Sequence, residues 1–388
     1  MNYKVINRKK KVALAAGDFV GSLLWAPVGL FRRQRPVVPD EVRDILLIRT
    51  AYIGDVVMTI PLLKPLRRLY PRAKITFLTN RPSGELLRNH PAIDRVITYD
   101  AFWFYERTGR TAFSEYLNVL EAVRKTRYDL VVEARGDIRD IFLLAFLGRN
   151  KRRVGYGIGG GRYLLTDIVP FTSVKHRVEY HRDIARFLGT CDEDVAWDCH
   201  LSAAEENRAD DILKENGVDP HKQFITMQPG ARKPLKRWPV ERFAAAADAL
   251  TRHYGVPLVI TGSAGERALA GHMVAAMQTK PVVLAGKISL RQLAAVLRRS
   301  LFFVCNDSAP LHIASMMKTP TVAVFGPSKS RETGPYGNPH RVVERDFPCR
   351  VTCDEDVCCF HSHHACMKAI GTEDVVAAAG SLYKDSHG

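Results

Sequence analysis

The chain has 388 residues, enough for two domains of ordinary size, and 46% hydrophobic and 25% charged residues are typical of a globular protein. Its formal charge of +16 predicts an acidic partner: nucleic acid, an anionic membrane or a phosphorylated substrate. Because the basic residues are spread and form no nucleic-acid-binding module, we expect no nucleic acid partner. The eight cysteines, without a cleavable signal peptide, indicate a reducing compartment.

Residues 1–38 read as a membrane-associating segment. Basic residues flank both of its ends, at Arg8, Lys9, Lys10 and Lys11 and at Arg32, Arg33 and Arg35. The apolar stretch between them is about long enough to span a bilayer, but Asp18 and Pro27 weaken that interpretation. An interfacial helix with basic flanks on lipid headgroups is favoured, and its apolar side comprises Phe19, Leu23, Leu24 and Trp25. A spanning helix and a segment docked on the protein are the alternatives.

Residues 39–200 read as a first α/β domain. Residues 45–48 form a buried strand, Gly54 suits a tight turn, and Asp55 caps a helix that runs through residues 61–69. Further strands are predicted at 75–79, 96–98 and 130–133, with an amphipathic helix at 115–126. This alternation predicts a parallel, doubly wound sheet.

A glycine-rich segment, GYGIGGG at residues 155–161, superficially suggests a dinucleotide-binding turn. The glycine spacing is wrong for that motif and no clear strand-to-helix unit surrounds it. We therefore predict a flexible loop without a role in binding phosphate.

Residues 201–222 form an interdomain region with a polar helix at 203–216, and residues 223–345 form a second α/β domain. Its strands are predicted at 224–228, 257–261, 282–284, 301–305 and 321–325, with helices between them. Residues 346–388 hold a Cys/His-containing tail and a final helix.

The stretch 301–327 reads as strand, loop, short helix and strand. Asp307 and Ser308 are N-cap residue types, Pro310 suits the first helical turn, and His312 falls in that turn. A helix N-terminus at the carboxyl end of a parallel strand is a ready anion site. An ordinary strand–helix–strand unit with a capping Asp is the alternative.

Residues 307–312, DSAPLH, resemble the D-[ST]-G-x-x-H loop of the lipopolysaccharide heptosyltransferases, which are GT-B enzymes that use ADP-heptose. Residues 45–61, 228–239 and 260–266 resemble three more segments of that family, in the family's order: its N-terminal strand–GD–helix, its K-x-W-P segment and its nucleotide-side loop. The resemblance implies a GT-B fold with two doubly wound, Rossmann-like domains facing across a cleft. Ala309 stands where the family usually has Gly, and the Cβ of alanine restricts the backbone there.

The same resemblance implies an inverting glycosyltransferase. It would transfer heptose from ADP-heptose to the phosphorylated, lipid-linked core oligosaccharide of lipopolysaccharide, as a peripheral protein on the cytoplasmic, inner face of the inner membrane, without a metal or other cofactor. One alternative is a transferase of the same family that uses another nucleotide sugar for a different surface glycan. Another is a non-catalytic nucleotide-sugar-binding membrane protein, against which the joint presence of Asp55, Lys236 and Asp307 argues.

Glycosyl transfer needs a base for the acceptor hydroxyl and a cation for the leaving diphosphate. By resemblance, the family's catalytic carboxylate falls on Asp55, for which a plain N-cap is the alternative. The K-x-W-P match selects Lys236 as the leaving-group partner, with Lys233 and Arg237 as nearby competitors.

The remaining candidate contacts are assigned to the two substrates. Donor-binding candidates are Thr261, Gly262, Glu266, Asp307, Ser308, Ala309 and His312. Glu266 would hold the ribose hydroxyls or simply begin a helix, and His312 would donate to phosphate or lie satisfied in the core. Acceptor-phosphate candidates are Arg135 and Arg139, at the end of the strand at 130–133. Since these candidates all follow residue 45, we expect a protein that lacks residues 1–35 still to fold and to bind nucleotide.

The tail concentrates cysteine and histidine. These residues are Cys349, Cys353, Cys358, Cys359, Cys366, His361, His363 and His364. Such density suits a zinc site, but the spacing matches no standard finger and a C-x-x-C pair is missing. We expect free thiols or a redox pair, and no stoichiometric metal.

Overall fold

The computed structural model describes residues 8–30, 38–105, 109–148, 150, 152–190, 197, 199–351, 353 and 356–387. The chain divides into two compact units, Met1–Ala196 and Trp197–Gly388. Each unit is built on a six-stranded sheet, so the predicted architecture of two doubly wound α/β units is confirmed.

In the first unit, every strand pair of the sheet is parallel and the strand order is β3-β2-β1-β4-β5-β6. The strands are β1 Asp44–Arg49, β2 Lys74–Thr79, β3 Arg95–Thr98, β4 Leu130–Glu133, β5 Arg152–Gly155 and β6 Asp167–Ile168. The helices are α1 Arg8–Leu30, α2 Ile53–Val57, α3 Leu63–Leu69, α4 Arg81–Leu86, α5 Phe102–Tyr105, α6 Arg110–Arg124, α7 Ile138–Asp140 and α8 Arg177–Leu188.

Strands β1 and β4 are central because their sequences are apolar on both faces. Ile45, Leu46, Leu47 and Ile48 are all fully buried, as is Leu130 opposite Ile45. Such runs are typical of parallel strands that are covered by helices on both sides. The strand order reverses between β1 and β4, and open α/β sheets bind ligands at such a point.

The second unit repeats this plan, with all pairs parallel and the order β12-β11-β10-β7-β8-β9. Its strands are β7 Ile225–Gln228, β8 Leu258–Ile260, β9 Val282–Val283, β10 Phe303–Asn306, β11 Thr321–Phe325 and β12 His340–Glu344. Its helices are α9 Ala203–Glu215, α10 Val240–Tyr254, α11 Arg267–Ala276, α12 Leu290–Arg299, α13 Ala309–Met316, α14 Ser330–Thr333, α15 Ala365–Lys368 and α16 Thr372–His387. Here the order reverses between β7 and β10.

The final helix completes the core of the second unit. Val375, Ala379 and Leu382 of α16 are buried in the same apolar cluster as Phe243 of α10 and Val343 of β12. The fold of this unit therefore depends on α16.

The N-terminal helix α1 lies against the glycine-rich segment of the first unit. Asp18 is buried and accepts a hydrogen bond from the backbone N–H of Gly161 at 2.7 Å. Among the helices in the described residues, none has the length and hydropathy to cross a bilayer. The side chain of Trp25 and the basic residues Arg32, Arg33 and Arg35 lie outside the described part.

Candidate active site

A pocket of about 470 Å³ opens in the first unit at the carboxyl ends of β1 and β4, where the strand order reverses. Four arginines line it, and we call it the arginine pocket: Arg49, Arg135, Arg139 and Arg177. Arg49 ends β1, Arg135 follows β4 and Arg177 begins α8. The topology thus gathers four cations at one sheet edge, an arrangement suited to a phosphorylated ligand.

Asp55 lies beside this pocket in the short helix α2. Its Oδ1 pairs with Arg177 Nη1 and, at 3.2 Å, with Arg49 Nη2. Burial on its own raises the pKa of Asp55, but Arg177, Arg49 and Arg135 outweigh burial and hold that pKa well below its usual range. Asp55 is therefore an anion at neutral pH.

Arg135 and Arg139 are positioned by an aromatic ring and by a neighbouring carboxylate. Their guanidinium carbons lie 4.1 Å and 4.6 Å from the ring centroid of Phe104. Asp137 accepts from Arg139 Nε at 2.8 Å and from Arg139 Nη2 at 2.7 Å. The two acceptor-phosphate candidates thus lie in one pocket with Arg49 and Arg177.

Some polar atoms around the arginine pocket have no protein partner. In the described residues, Arg49 Nε, Arg135 Nη1 and His181 Nδ1 are buried and make no hydrogen bond. His181 lines the pocket, and its Nε2 lies 3.1 Å from the hydroxyl of Thr59. Burial, followed by the charge of Arg49, lowers the pKa of His181 well below its usual value, so the imidazole is neutral. Buried polar atoms without a protein partner indicate that a bound ligand supplies the missing hydrogen bonds.

Two buried carboxyl groups, Glu133 and Asp140, lie behind the pocket. Glu133 accepts from the backbone N–H of Gly136 at 2.6 Å, and Asp140 accepts from the Thr50 hydroxyl at 2.9 Å and from Trp103 Nε1 at 3.1 Å. Burial, followed by the charge of Asp137, raises the pKa of Asp140 to about 6. Burial, followed by the charge of Asp140, raises the pKa of Glu133.

In the second unit, Lys236 and Asp307 meet at the corresponding point of the sheet. Lys236 follows β7, Asp307 follows β10, and the Nζ–Oδ2 distance is 2.7 Å. The loop carrying Lys236 is held by Asn306, whose Oδ1 accepts from the Trp238 backbone N–H at 3.0 Å and whose Nδ2 donates to the Pro229 carbonyl at 2.8 Å. The lysine therefore sits on a rigid support.

Helix α13 begins directly after Asp307, with Ser308 at the N-cap in extended conformation and without a side-chain cap. The Ser308 hydroxyl lies 3.4 Å from the Asn306 carbonyl instead. Ala309 begins the helix, and its φ is not positive. Alanine in place of glycine therefore causes no backbone strain there. Pro310 has no N–H and the Leu311 N–H donates to the Ser308 carbonyl at 3.1 Å, so in the first turn of α13 the Ala309 N–H is the group placed to meet an anion. His312 is buried in its first turn.

The nucleotide-side loop uses Glu266 as part of a helix cap. Its Oε2 accepts from the Ser263 backbone N–H at 2.7 Å and from the Ser263 hydroxyl at 2.9 Å, a capping box. A Cβ at Gly230 would overlap the Glu266 carboxylate, so a larger residue there would displace this carboxylate. Gly262 is half-buried, while Thr261 is buried and donates to Gln228 Oε1 at 3.2 Å.

Comparison with known proteins identifies the chain. Residues 116–361 match the family described as glycosyltransferase family 9 (heptosyltransferase). Lipopolysaccharide heptosyltransferase 3 of Escherichia coli strain K12 is 31% identical over 290 residues, covering 71% of this chain and 80% of that protein. The chain belongs to glycosyltransferase family 9. It is a glycosyltransferase of the heptosyltransferase family of lipopolysaccharide core biosynthesis.

Solved structures agree with this family 9 assignment. The glycosyl transferase family 9 structure from Veillonella parvula matches with a TM-score of 0.76 at 25% identity, covering 90% of this chain and 99% of that one. The structure of Escherichia coli ADP-heptose lipopolysaccharide heptosyltransferase II matches with a TM-score of 0.70 at 22% identity, covering 89% and 100%. The GT-B fold is thereby confirmed.

The structure of this family 9 protein adds residues that sequence reasoning missed. Arg49, Arg177 and His181 join Asp55 around the arginine pocket, although 122 residues separate Asp55 from Arg177. Two signals were available. Arg49 directly follows the apolar run at residues 45–48, and Arg177 and His181 are four residues apart on one helix face. In the glycine-rich segment, Gly155 ends β5 and residues 156–161 form a loop, of which Tyr156, Ile158 and Gly159 line the pocket.

The Cys/His tail packs against the loop that carries Lys236. His364 Nε2 lies 2.8 Å from the Leu235 carbonyl, and Lys233 Nζ lies 3.1 Å from Asp356. Among the residues that the structure describes, no three His, Cys, Asp or Glu side chains are grouped so as to hold a metal ion. The absence of metal stays a prediction to be measured.

Proposed function

We propose that this family 9 enzyme transfers heptose from ADP-heptose to the phosphorylated, lipid-linked core oligosaccharide of lipopolysaccharide, with inversion at the anomeric carbon. The observation that carries the proposal is the arginine pocket beside the ionised Asp55. The heptosyltransferase II to which the chain is similar is named for ADP-heptose, which supports this donor. A heptose acceptor site with four arginines suits a phosphorylated core sugar.

In the proposed reaction, the acceptor hydroxyl oxygen attacks the anomeric carbon of the heptose. The bond from that carbon to the diphosphate breaks, ADP leaves with the bonding electron pair, and Asp55 takes the hydroxyl proton. Lys236 and the N-terminus of α13 stabilise the charge that develops on the diphosphate. Asp307 holds the lysine in place until the donor phosphates compete for it.

Asp55 needs a change in its surroundings to act as a base. A carboxylate whose pKa is held low by arginines is a weak proton acceptor. An acceptor phosphate in the pocket would draw Arg177 and Arg49 toward itself, and the proton affinity of Asp55 would then rise. The acceptor thus activates its own base, which would protect the donor from transfer to water.

The acceptor determines where the enzyme works, and the donor determines which sugar it transfers. A core oligosaccharide that is still attached to lipid is met at the inner face of the inner membrane, so the enzyme would work there as a peripheral protein. The second candidate function keeps the fold and the mechanism but uses another nucleotide sugar, because no described contact selects the sugar ring.

The experiment is a donor screen with the purified full-length enzyme and lipid-linked core acceptors. Mass spectrometry should detect a product heavier by one heptose with ADP-heptose, and none with ADP-glucose, UDP-glucose or GDP-mannose. The Asp55→Asn variant is the negative control. Transfer from another nucleotide sugar, with none from ADP-heptose, would replace this proposal with the second candidate.

A further inference from the structure

Helix α1 has two faces of different character. Leu14, Asp18 and Gly21 form an inner stripe at the spacing i, i+4, i+7, which places them on one side of a helix. Asp18 and Gly21 are buried there. This side docks on the first unit.

The inner stripe contacts the glycine-rich segment at several points. Asp18 accepts from the Gly161 backbone N–H, and a Cβ at Gly160 would lie 2.8 Å from Leu14 Cδ2. A Cβ at Gly21 would overlap the ring of Tyr163, so a larger residue there would displace this ring. Leu14 also lines the arginine pocket, together with three residues of the glycine-rich segment. The N-terminal segment thus contributes Leu14 to the wall of the arginine pocket, beside candidates that all follow residue 45.

The opposite face of α1 is apolar and exposed. Its outer stripe comprises Val12, Phe19, Val20, Leu23 and Leu24, with exposed fractions between 53% and 73%. From residue 12 to residue 30, Asp18 is the only ionisable residue in the sequence, and it is turned inward. Between residues 12 and 24, the outer stripe is thus an uncharged apolar surface.

The charge at the start of α1 indicates what covers this surface. Residues 8–11 are Arg, Lys, Lys and Lys, and the first turn has no acidic residue. Four cations at a helix N-terminus oppose the helix dipole, so they are unfavourable unless anions lie nearby. An uncharged stripe with basic residues at its end matches an anionic phospholipid surface, with acyl chains under the stripe and headgroups at the cations.

We infer that α1 binds the surface of an anionic phospholipid bilayer with its outer stripe while its inner stripe holds the glycine-rich wall of the arginine pocket. The same helix thereby contacts the membrane on one side and the pocket wall on the other. The pocket is kept at the bilayer surface, where the phosphorylated headgroup of an amphiphile enters without its acyl chains leaving the lipid. This inference rests on the proposed function only for the identity of that amphiphile.

The outer stripe is tested with the variant Phe19→Glu/Leu23→Glu in the full-length protein. The matched control is Phe113→Glu/Leu117→Glu, which alters an exposed apolar pair on α6 of the same unit. Co-sedimentation with vesicles of phosphatidylethanolamine and phosphatidylglycerol (3:1) should weaken roughly tenfold or more for the α1 variant. The control variant should bind like the unmodified protein, and neither should bind phosphatidylcholine vesicles well.

The inner stripe is tested with Asp18→Ala by hydrogen exchange. Exchange of the Gly161 amide, and of peptides covering residues 155–165, should speed up, and Asp18→Asn should restore most of the protection because its carbonyl oxygen still accepts. Vesicles should slow exchange of the same peptides in the unmodified protein.

Other outcomes overturn the inference. Vesicle binding that survives Phe19→Glu/Leu23→Glu removes the outer stripe as the lipid surface, and binding that resists alkali and needs detergent indicates a spanning helix. A dimer in sedimentation equilibrium that only this variant dissolves assigns the stripe to a second copy of the chain. Unchanged Gly161 exchange in Asp18→Ala removes the link to the pocket. Failure of heptosyl transfer alters neither readout, so the two proposals fail separately.

Discussion

Asp55 is paired with two arginines in a buried place, and this pairing governs both its proton affinity and the stability around it. Arg49 is only 3% exposed, so loss of the carboxylate would leave a buried cation without its counter-charge. Breaking such a pair costs about 3–5 kcal/mol when one partner is removed. A variant at this position therefore needs a folding control as well as an activity assay.

Asp55→Asn should lower turnover by roughly 10²–10⁴-fold, the range for a removed general base. ADP affinity, measured by calorimetry, should stay unchanged because the diphosphate candidates lie in the other unit. Urea unfolding shows how far the variant is destabilised. Near-normal turnover in the folded variant would remove Asp55 from the base role.

Lys236→Ala should weaken ADP binding by roughly 10- to 100-fold and lower turnover, because one charge-assisted contact to the diphosphate is lost. Lys233→Ala is the matched control, since Lys233 is in the same loop and pairs with Asp356. Calorimetric titration of ADP into both variants makes the comparison. If the control variant loses affinity and Lys236→Ala keeps it, the role moves to Lys233.

Asp140→Asn should change how stability depends on pH. In the native state the pKa of Asp140 is about 6, against about 3.9 unfolded, so between these values the folded state holds a proton that the unfolded state has lost. The free energy of unfolding should therefore fall as pH rises from about 4 to about 6, by on the order of 2–3 kcal/mol, and then level off.

The Asp140→Asn variant has no carboxyl group at this position, so its free energy of unfolding should not fall in this way between about pH 4 and about pH 6. Urea unfolding at several pH values measures it, with Asp346→Asn at an exposed carboxylate as the control. An unaltered slope in Asp140→Asn would assign the proton to Glu133.

At the scale of elements, the loop that carries Lys236 is fixed by a segment far along the chain. Trp238 Nε1 donates to the Ile370 carbonyl at 3.0 Å, and Arg242 donates to the Lys368 carbonyl at 2.6 Å. Together with the His364 contact, these bonds make the Cys/His tail and α15 a brace for that loop. Damage to the tail should thus reduce ADP affinity even though the tail contributes no group to the chemistry.

The tail gives a prediction about metal. Elemental analysis of protein purified under reducing, chelator-free conditions should find less than a stoichiometric amount of zinc or iron, and chelator treatment should leave the melting temperature unchanged. A full equivalent of metal would show that the thiols are ligands and that the brace is a metal-dependent element.

Helices and strands could be predicted from the sequence where a short local pattern determines them. The strand at 45–48 and the helix at 203–216 agree with β1 and α9, since one is a buried apolar run and the other begins with a capping box. Strand β5 was missed because it reads Arg-Arg-Val-Gly, without an apolar run, and α6 begins five residues before the predicted start because its N-cap, Gly109, has no capping side chain.

The candidate site was predictable only in part, for a different reason. Asp55, Lys236 and Asp307 follow strands and carry family motifs, so sequence placed them at sheet edges. The pairing of Asp55 with Arg177 depends on how α8 packs across the sheet, and the inward turn of Asp18 depends on the glycine-rich segment. Such contacts between distant segments leave no local pattern in a single sequence.

At the scale of the whole molecule, a formal charge of +16 on 388 residues attracts the protein to anionic surfaces over long distances. Binding to vesicles of phosphatidylethanolamine and phosphatidylglycerol should fall steeply between about 0.05 M and about 0.5 M salt, because screening shortens the range of these charges. Co-sedimentation over that salt range measures it. Salt-independent binding would show that apolar contacts alone hold the protein to lipid.

The place of α16 has a consequence for biosynthesis. Its residues Val375, Ala379 and Leu382 are core positions of the second unit, yet they leave the ribosome after Phe243 and Val343, which share that core. Until α16 has left the exit tunnel, these side chains cannot reach the core. The first unit can therefore fold before α16 emerges, whereas the second unit must wait for it. During that interval its apolar sheet faces are exposed, so chaperone demand in cells should concentrate on this unit.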